Sequence, residues 1–295
     1  MVEKKSVSGT VLKILNYLIL AVLSISCFFP LWYTLVMSLS SKQAVDAGQA
    51  ILLPVGINLR NYSLIVEDPL FLSSFMRSVL RVLIGTPFSL IVSVLIAYPL
   101  SKNSREFKLR SPIMWFLVFC MLFGGGVVPW YWFMMQYGMI DSLLGLILCG
   151  GLPIYYCILI MNQFRSIPKD LSDAALIDGA GPWRTLFSIY LPCSLPTIAT
   201  ISLFVAVNYW NDYFQGMVLS KSSEYYPLMT YIRSFNVSLN MTGNMDTEQL
   251  IRATQTSNRA LDSAKVFIAL VPMLVIYPWL QRYFISGIML GAVKE

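Results

Sequence analysis

The sequence contains no histidine and little charge, with only 12% of its 295 residues being Asp, Glu, Lys or Arg. Without histidine, the chain lacks the commonest metal ligand and the usual proton carrier at neutral pH, which excludes zinc peptidases and hydrolases with a histidine base. A soluble domain has about 25% charged residues, and half that fraction cannot cover a water-soluble surface of this size. The absence of histidine and the low fraction of charged residues together exclude an ordinary soluble enzyme.

Two sequence patterns are also missing. No Gly-Lys dipeptide occurs, which excludes a phosphate-binding loop of the G-x-x-x-x-G-K-[ST] type in this chain. The cysteines form no Cys-x-x-Cys pair and lie in or beside apolar runs, so we expect small buried side chains without a disulfide or metal role. The five cysteines are Cys27, Cys120, Cys149, Cys157 and Cys193.

Hydrophobic residues, by contrast, make up 57% of the chain, and the mean hydropathy is +0.66. A chain so apolar and so poor in charge is typical of a polytopic membrane protein. A helix needs about 20 mostly apolar residues to cross the hydrocarbon core, and six stretches meet that length. The predicted spans cover residues 11–37, 75–100, 112–135, 142–161, 191–219 and 265–285. We therefore expect an all-α fold with six transmembrane helices in a single membrane domain over residues 1–295.

The distribution of basic residues predicts which loops face the cytoplasm. Lys and Arg cluster before the first span, after the second and after the fourth, whereas the third loop has none. These residues are Lys4, Lys5, Lys13, Lys102, Arg105, Lys108, Arg110, Arg165, Lys169 and Arg184. By the positive-inside rule, both termini and the second and fourth loops are cytoplasmic. The net charge of +6 thus indicates contact with anionic lipid rather than with nucleic acid.

The fifth loop, about residues 220–264, is expected on the external side of the cell membrane. It carries four basic residues, but long loops are translocated largely regardless of their charge. Its residues 235–258 are rich in Asn and Thr and show no helical apolar stripe, which predicts a loose excursion rather than a packed element.

The fourth loop, about residues 165–192, shows the local signals of two short helices joined by a turn, and we name it the hairpin. Asp170 or Ser172 can cap its first helix. Asp173 is expected in the first turn, where the helix dipole favours an anion. This first helix is too short to span a bilayer and too apolar to stand free in water, so we expect it at the cytoplasmic face.

The turn of the hairpin has its own signals. Gly179 can adopt the left-handed conformation that ends a helix, and Pro182 suits the first position of the next helix. Ala174, Ala175 and Ala180 are small, so the hairpin presents a narrow profile that could enter a cleft in another protein.

The hairpin resembles the EAA loop of the permease subunits of ATP-binding-cassette importers. The motif stands here as Asp173-Ala174-Ala175-x-x-Asp178-Gly179-Ala180, with Leu191-Pro192 at the expected distance. Aspartate replaces the usual glutamate at the first position, which keeps the charge and shortens its reach. In that family the loop docks into a groove of the ATPase subunit and transmits its closure to the membrane helices. The resemblance therefore implies an ATPase-coupling role for Asp173, Ala174, Ala175, Asp178, Gly179, Ala180, Leu191 and Pro192.

The resemblance extends to residues 208–214 and 280–294, which are similar to carbohydrate-importer permeases, in particular the second permease of the maltose/maltodextrin type. The triple glycine at 124–126 and the long fifth loop look more like the branch associated with oligo- and polysaccharides. The resemblance implies alternating access by a subunit that is not itself an enzyme and holds no cofactor, with ATP and Mg bound by a partner. The implied partners are an ATPase dimer, a second related permease in a heterodimer, an extracytoplasmic sugar-binding protein and the carbohydrate.

Polar residues inside a span are costly and are therefore candidates for a solute path. The clearest set is Asn208, Trp210, Asn211 and Asp212 on the fifth predicted span. Amides and a carboxylate can bond sugar hydroxyls, while an indole packs on the apolar face of a sugar ring. Hydrogen bonding between helices and an interfacial aromatic belt explain the same residues equally well.

A different class of transporter stays open at this point. A secondary transporter or channel driven by an ion gradient would need ionisable residues buried in mid-span, and Asp212 is the one acidic residue well inside a predicted span. Arg77 and Arg81 lie one turn apart on the second span, and we expect their side chains to extend to the lipid headgroups.

Overall fold

The computed structural model describes residues 7–238 and 258–292, and every regular element in these ranges is helical, as expected. The α-helices are α1 Val7–Leu39, α2 Lys42–Asp46, α3 Arg60–Glu67, α4 Pro69–Ser101, α5 Arg110–Leu122, α6 Val127–Gln136, α7 Leu143–Leu148, α8 Ile154–Ser166, α9 Lys169–Ile177, α10 Pro182–Thr185, α11 Leu191–Cys193, α12 Leu195–Asn211, α13 Phe214–Leu219, α14 Leu228–Ser238 and α15 Asn258–Ala292. A π-helix covers Leu186–Tyr190 and a 3-10 helix covers Ser223–Tyr225.

Three helices in the described ranges are long and apolar enough to cross a membrane: Val11–Leu39, Pro69–Ser101 and Arg259–Tyr277. Two bent pairs would raise the number to five if each pair counts as one span. The first pair is α5 with α6, bent by 112°, and the second joins residues 182–193 to α12 at 81°. The count of six spans therefore stays a prediction, whereas the apolar helices expected of a membrane protein are present.

Three of the predicted spans are not continuous helices. Residues 112–135 break between α5 and α6, where the backbone of Gly126 has φ +82°. Residues 142–161 break between α7 and α8, just before Pro153. Pro153 has no amide hydrogen, so it cannot donate the backbone hydrogen bond that would continue a helix across this point. Residues 191–219 break again at Asp212 and Tyr213, between α12 and α13. Hydropathy alone cannot locate such breaks, because the residues around them remain apolar.

The fifth loop contains more helix than its composition predicts. Helix α14 lies within it, and α15 begins at Asn258, seven residues before the predicted start of the last span. Of the excursion expected at 235–258, residues 239–257 lie outside the described residues.

One compact unit comprises residues 69–234 and 272–295, and its core forms where α4, α8 and α12 pack together. The buried face of α4 carries small residues at intervals of four positions, interrupted once by the buried Arg81, namely Ser74, Ser78, Gly85, Ser89, Ser93 and Ala97. Small residues allow helix backbones to approach closely, which is the main route to helix association in a bilayer. The larger side chains of this core include Ile160, Phe164 and Ile201.

The other compact unit comprises residues 1–68 and 235–271. The end of α1 is tied to α3 by two polar contacts: Asn61 Nδ2 donates to the carbonyl of Ser38 at 3.0 Å, and the Ser38 hydroxyl lies 2.6 Å from the Tyr62 hydroxyl. Ser41 caps α2 by accepting from the amide of Ala44. Most of α1 before Trp32 is exposed and apolar, which is the pattern of a helix that faces lipid or a partner subunit.

The cysteines are all free, but the expectation that they are buried is wrong for three of them. Cys157 is buried and Cys149 is half-buried, whereas Cys27, Cys120 and Cys193 are exposed. These three lie on the outward face of apolar helices, where an apolar sequence environment does not imply burial within the chain.

Candidate functional site

The hairpin consists of α9, a turn, α10 and the π-helix that follows. Gly179 has φ +73°, the left-handed conformation expected at the end of α9. The amide of Ala180 donates to the carbonyl of Ala175 at 2.8 Å, and the amide of Gly179 donates to that of Leu176 at 3.0 Å. This pair of bonds is the Schellman motif, which satisfies carbonyls that have no partner within the helix. Pro182 occupies the first turn of α10, as predicted.

The start of α9 differs from the prediction. The helix begins at Lys169, immediately after Pro168, and no side chain caps it. Ser172 instead donates its hydroxyl to the carbonyl of Lys169, and Asp170, rather than Asp173, is the acidic residue of the first turn. Pro168 restricts the backbone immediately before the helix, and α9 starts earlier than the capping residues indicate.

The hairpin exposes large apolar side chains. Ile177 is 87% exposed and Leu176 is 66% exposed, and beyond the turn Trp183 and Phe187 are also exposed and stacked, with ring centroids 6.4 Å apart. Ala175 and Ala180 are buried, whereas Asp173, Ala174, Asp178 and Gly179 are exposed. A surface of this kind fits contact with another molecule rather than with water.

The remaining motif residues connect the hairpin to the membrane helices. The π-helix Leu186–Tyr190 precedes Leu191 and Pro192, which lie in α11. Pro192 has no amide hydrogen to donate to the carbonyl of Ser188, so a regular α-helical bond is impossible there. Leu191 packs against the core of α4, α8 and α12, and Pro192 is exposed.

A buried polar cluster surrounds Arg81 on α4. Its side chain is only 1% exposed, so the expectation that it reaches the lipid headgroups is wrong. Arg81 Nε donates to the carbonyl of Leu146 at 3.0 Å, and Nη2 donates to Gln215 Oε1. Nη2 also lies 2.9 Å from Asp212 Oδ2, which forms an ion pair. Arg77, half-buried one turn earlier, packs on the ring of Tyr225 instead.

Tyr209 on α12 connects this cluster to the core. Its hydroxyl donates to the carbonyl of Ile147 at 2.8 Å and lies 2.9 Å from the Ser89 hydroxyl. Its ring lies 5.3 Å from the Arg81 guanidinium. The ring fits because two glycines have no side chain: a Cβ would lie 2.8 Å from Tyr209 Cζ at Gly85 and 2.9 Å from Tyr209 Cε1 at Gly150. Tyr209 thus fixes the distance between α4 and α12.

A cavity of about 560 Å³ lies beside the Arg81 cluster. Of the four residues proposed from the sequence for a solute path, Asn208, Asn211 and Asp212 line it. Asn208 Nδ2 donates to the hydroxyl of Tyr156, another lining residue, at 2.9 Å. Trp210 does not line the cavity but is 4% exposed and packs edge-to-face on Phe75 at 5.8 Å.

Sequence reasoning missed most of the residues that line this cavity, among them Arg81, Tyr209 and Gln215. The available signal was the position of Arg81, twelve residues into an apolar helix, or about 18 Å from its start, where a charge is costly. Tyr209 lies within residues 208–214, which resemble carbohydrate-importer permeases, but no sequence signal marked Gln215. Within the described ranges, no group of three or more potential metal ligands occurs.

The apolar helices and the small-residue packing of α4 define a multi-pass membrane protein. Residues 69–290 match the family described as the inner membrane component of binding-protein-dependent transport systems, and the chain belongs to that family. This membership agrees with the importer predicted from the hairpin rather than with a carrier driven by an ion gradient.

Two relatives from Bacillus subtilis (strain 168) match over nearly their whole length. The polygalacturonan/rhamnogalacturonan transport system permease protein YtcP is 34% identical over 95% of this chain and 97% of its own. Protein LplC is 31% identical over 97% of this chain and 96% of its own.

A solved structure is also similar. It is a bacterial ABC transporter involved in the import of the acidic polysaccharide alginate, and one of its chains is 30% identical to this one. The TM-score is 0.88, with 96% of this chain and 100% of that chain covered.

Proposed function

We propose that this chain is the permease subunit of an ATP-binding-cassette importer that moves an oligosaccharide or polysaccharide fragment across the cell membrane by alternating access. Its partners are an ATPase dimer that binds ATP and Mg, a second related permease, an extracytoplasmic sugar-binding protein and the carbohydrate. The family membership and the carbohydrates in the names of the similar proteins support this proposal. The chain itself carries out no catalysis.

The observation that carries the coupling role is the exposed apolar tip of the hairpin. Leu176 and Ile177 are largely exposed although the backbone around them is held by the Schellman motif at Gly179. Exposure of an ordered apolar tip to water is unfavourable, and burial of the tip in a groove of a partner lowers the free energy. Leu191 then carries the movement into the core of α4, α8 and α12.

The coupling role is tested by placing the same residue at two glycines of the hairpin. Gly179→Asp puts a side chain at φ +73°, where a residue other than glycine costs about 1–2 kcal/mol. Gly181→Asp adds the same charge where φ is −70° and ψ is 170°, at the start of α10, a position that aspartate favours. In proteoliposomes, Gly179→Asp should hydrolyse ATP without sugar uptake, and Gly181→Asp should remain coupled. Equal uptake by both variants contradicts the role.

The six-span arrangement with cytoplasmic termini and hairpin belongs to the same proposal, and the basic residues of the second and fourth loops support it. We propose to test it with a membrane-impermeant thiol reagent on a chain in which Cys27, Cys120 and Cys193 are replaced by serine. Lys169→Cys should react only in opened vesicles, and Lys221→Cys should react in intact cells; both positions are exposed. The reverse pattern would overturn the topology.

A further inference from the structure

We infer that the cavity beside α12 binds the carboxylate of an acidic sugar, with Arg81 as the residue that recognises its charge. The inference rests on the proposed function and names its substrate class, oligosaccharides that contain uronic acids. Arg81 and Asp212 form its charged wall, and Asn208, Asn211 and Tyr156 lie on the same cavity.

The first support is the unused hydrogen-bonding capacity of Arg81. A guanidinium has five N–H donors. Nε and Nη2 have acceptors, but Nη1 is buried and has no hydrogen-bond partner among the residues that the structure describes. An unsatisfied buried donor is costly, more so on a cation. A carboxylate relieves that cost, because it can accept two parallel bonds from one guanidinium.

The second support is the geometry of the ion pair between Arg81 and Asp212. Nη2 lies 2.9 Å from Oδ2, yet this oxygen accepts no aligned hydrogen bond within the described part of the chain. Asp212 lies at the break between α12 and α13, with extended φ −71° and ψ 120°, and its side chain is 22% exposed. A ligand carboxylate can therefore replace Asp212 beside Arg81, and this exchange keeps the buried cation neutralised.

The third support is the rest of the cavity lining. Asn208 and Asn211 bring amide groups, which both donate to and accept from sugar hydroxyls. Tyr156 and Tyr213 bring aromatic rings with hydroxyls, which suit the apolar faces and the polar rim of a sugar ring. A volume of about 560 Å³ lies in the range of small-molecule sites.

The sharpest test needs no mutation. Binding of trigalacturonate and of its methyl ester is measured by calorimetry on the complete importer in nanodiscs, without the binding protein, which has preferences of its own. The ester keeps the sugar ring and its hydroxyls but removes the negative charge. We expect the acid to bind at least tenfold more tightly than the ester, and equal affinities would overturn the inference.

Two variants separate recognition from a structural role. Arg81→Gln should weaken binding of the acid at least tenfold more than binding of the ester, whereas Asp212→Asn, which removes the competing carboxylate, should tighten binding of the acid several-fold. If the pair only held the fold, both single variants would weaken both ligands, and Arg81→Gln/Asp212→Asn would restore binding. That result would contradict the inference. If a variant does not fold, the comparison of acid and ester on the unaltered protein still decides.

A separate measurement tests the proposed function. The complete importer in proteoliposomes, with binding protein and ATP, should accumulate labelled trigalacturonate. If the importer accumulates a neutral oligosaccharide such as maltotriose but not trigalacturonate, the inference about Arg81 fails and the proposed function stands; if it accumulates no oligosaccharide of either kind, the proposed function fails. If the acid and its methyl ester accumulate with equal KM and bind with equal affinity, only the inference about Arg81 fails.

Discussion

Lys102 Nζ donates a hydrogen bond of 3.1 Å to the hydroxyl of Tyr190, which joins the end of α4 to the π-helix that follows the hairpin. The same ammonium lies 4.6 Å from the ring centroid of Tyr190 and 4.8 Å from that of Tyr98. Phe164 of α8 packs edge-to-face on Tyr190 at 5.4 Å. The cation therefore joins α4 to the π-helix, and α8 packs on the same tyrosine, next to the segment to which we assign coupling.

Lys102→Met should weaken this junction. Burial alone lowers the pKa of Lys102, but its interactions with Tyr190 and Tyr98 outweigh this effect and raise the pKa above its usual value, so the ammonium is charged at neutral pH. Removing the cation from two rings should cost about 1–2 kcal/mol and increase the ATP consumed per sugar transported. The control is Lys108→Met, an exposed lysine of the same loop. Equal stoichiometry in both variants would show that the junction takes no part in coupling.

Tyr209→Phe removes one hydroxyl that serves both Ser89 and the carbonyl of Ile147. Leaving buried groups without a partner costs about 1–3 kcal/mol, so the variant should unfold at a lower temperature in detergent. Tyr155→Phe removes the same atom from an exposed ring and should not shift the midpoint. An unchanged midpoint for Tyr209→Phe would show that the hydroxyl adds nothing to stability.

Gly85→Ala should separate α4 from α12. The added methyl group would lie 2.8 Å from Tyr209 Cζ and 2.9 Å from Cε2, which forces the buried ring to move. Overpacking of this kind costs about 1–3 kcal/mol. Gly125→Ala is the matched control, since nothing lies within 4 Å of its added Cβ. Thermal unfolding of the two purified variants makes the comparison, and similar midpoints would refute the close contact.

Asn211→Leu should lower sugar uptake without disturbing assembly. Asn211 is exposed and lines the cavity, so its loss removes hydrogen bonds to the solute while the core stays intact. We expect a rise in KM of roughly five- to tenfold, which corresponds to one lost hydrogen bond of about 1–1.5 kcal/mol. Asn162→Leu, exposed on α8 away from the cavity, is the control. Uptake at the unaltered rate would show that Asn211 does not bind the solute.

The hairpin shows how far sequence reasoning reached. Gly179 and Pro182 act through their own backbone preferences, so the turn between α9 and α10 could be predicted without any tertiary contact. The predicted start of α9 was wrong because Pro168, and not one of the expected capping residues, precedes the first helical residue. The break at Asp212 was also missed, since apolar composition continues on both sides of it.

The sequence by itself determined the apolar helices, the hairpin and the family, because hydropathy, backbone preference and a local motif are properties of adjacent residues. Only the tertiary structure decided the partners of Arg81. Leu146, Asp212 and Gln215 are 65 to 134 positions away along the chain and come together through the packing of α4 with its neighbours. A charge in an apolar helix can reach outward to the headgroups or inward to such partners, and only packing decides which state has the lower free energy.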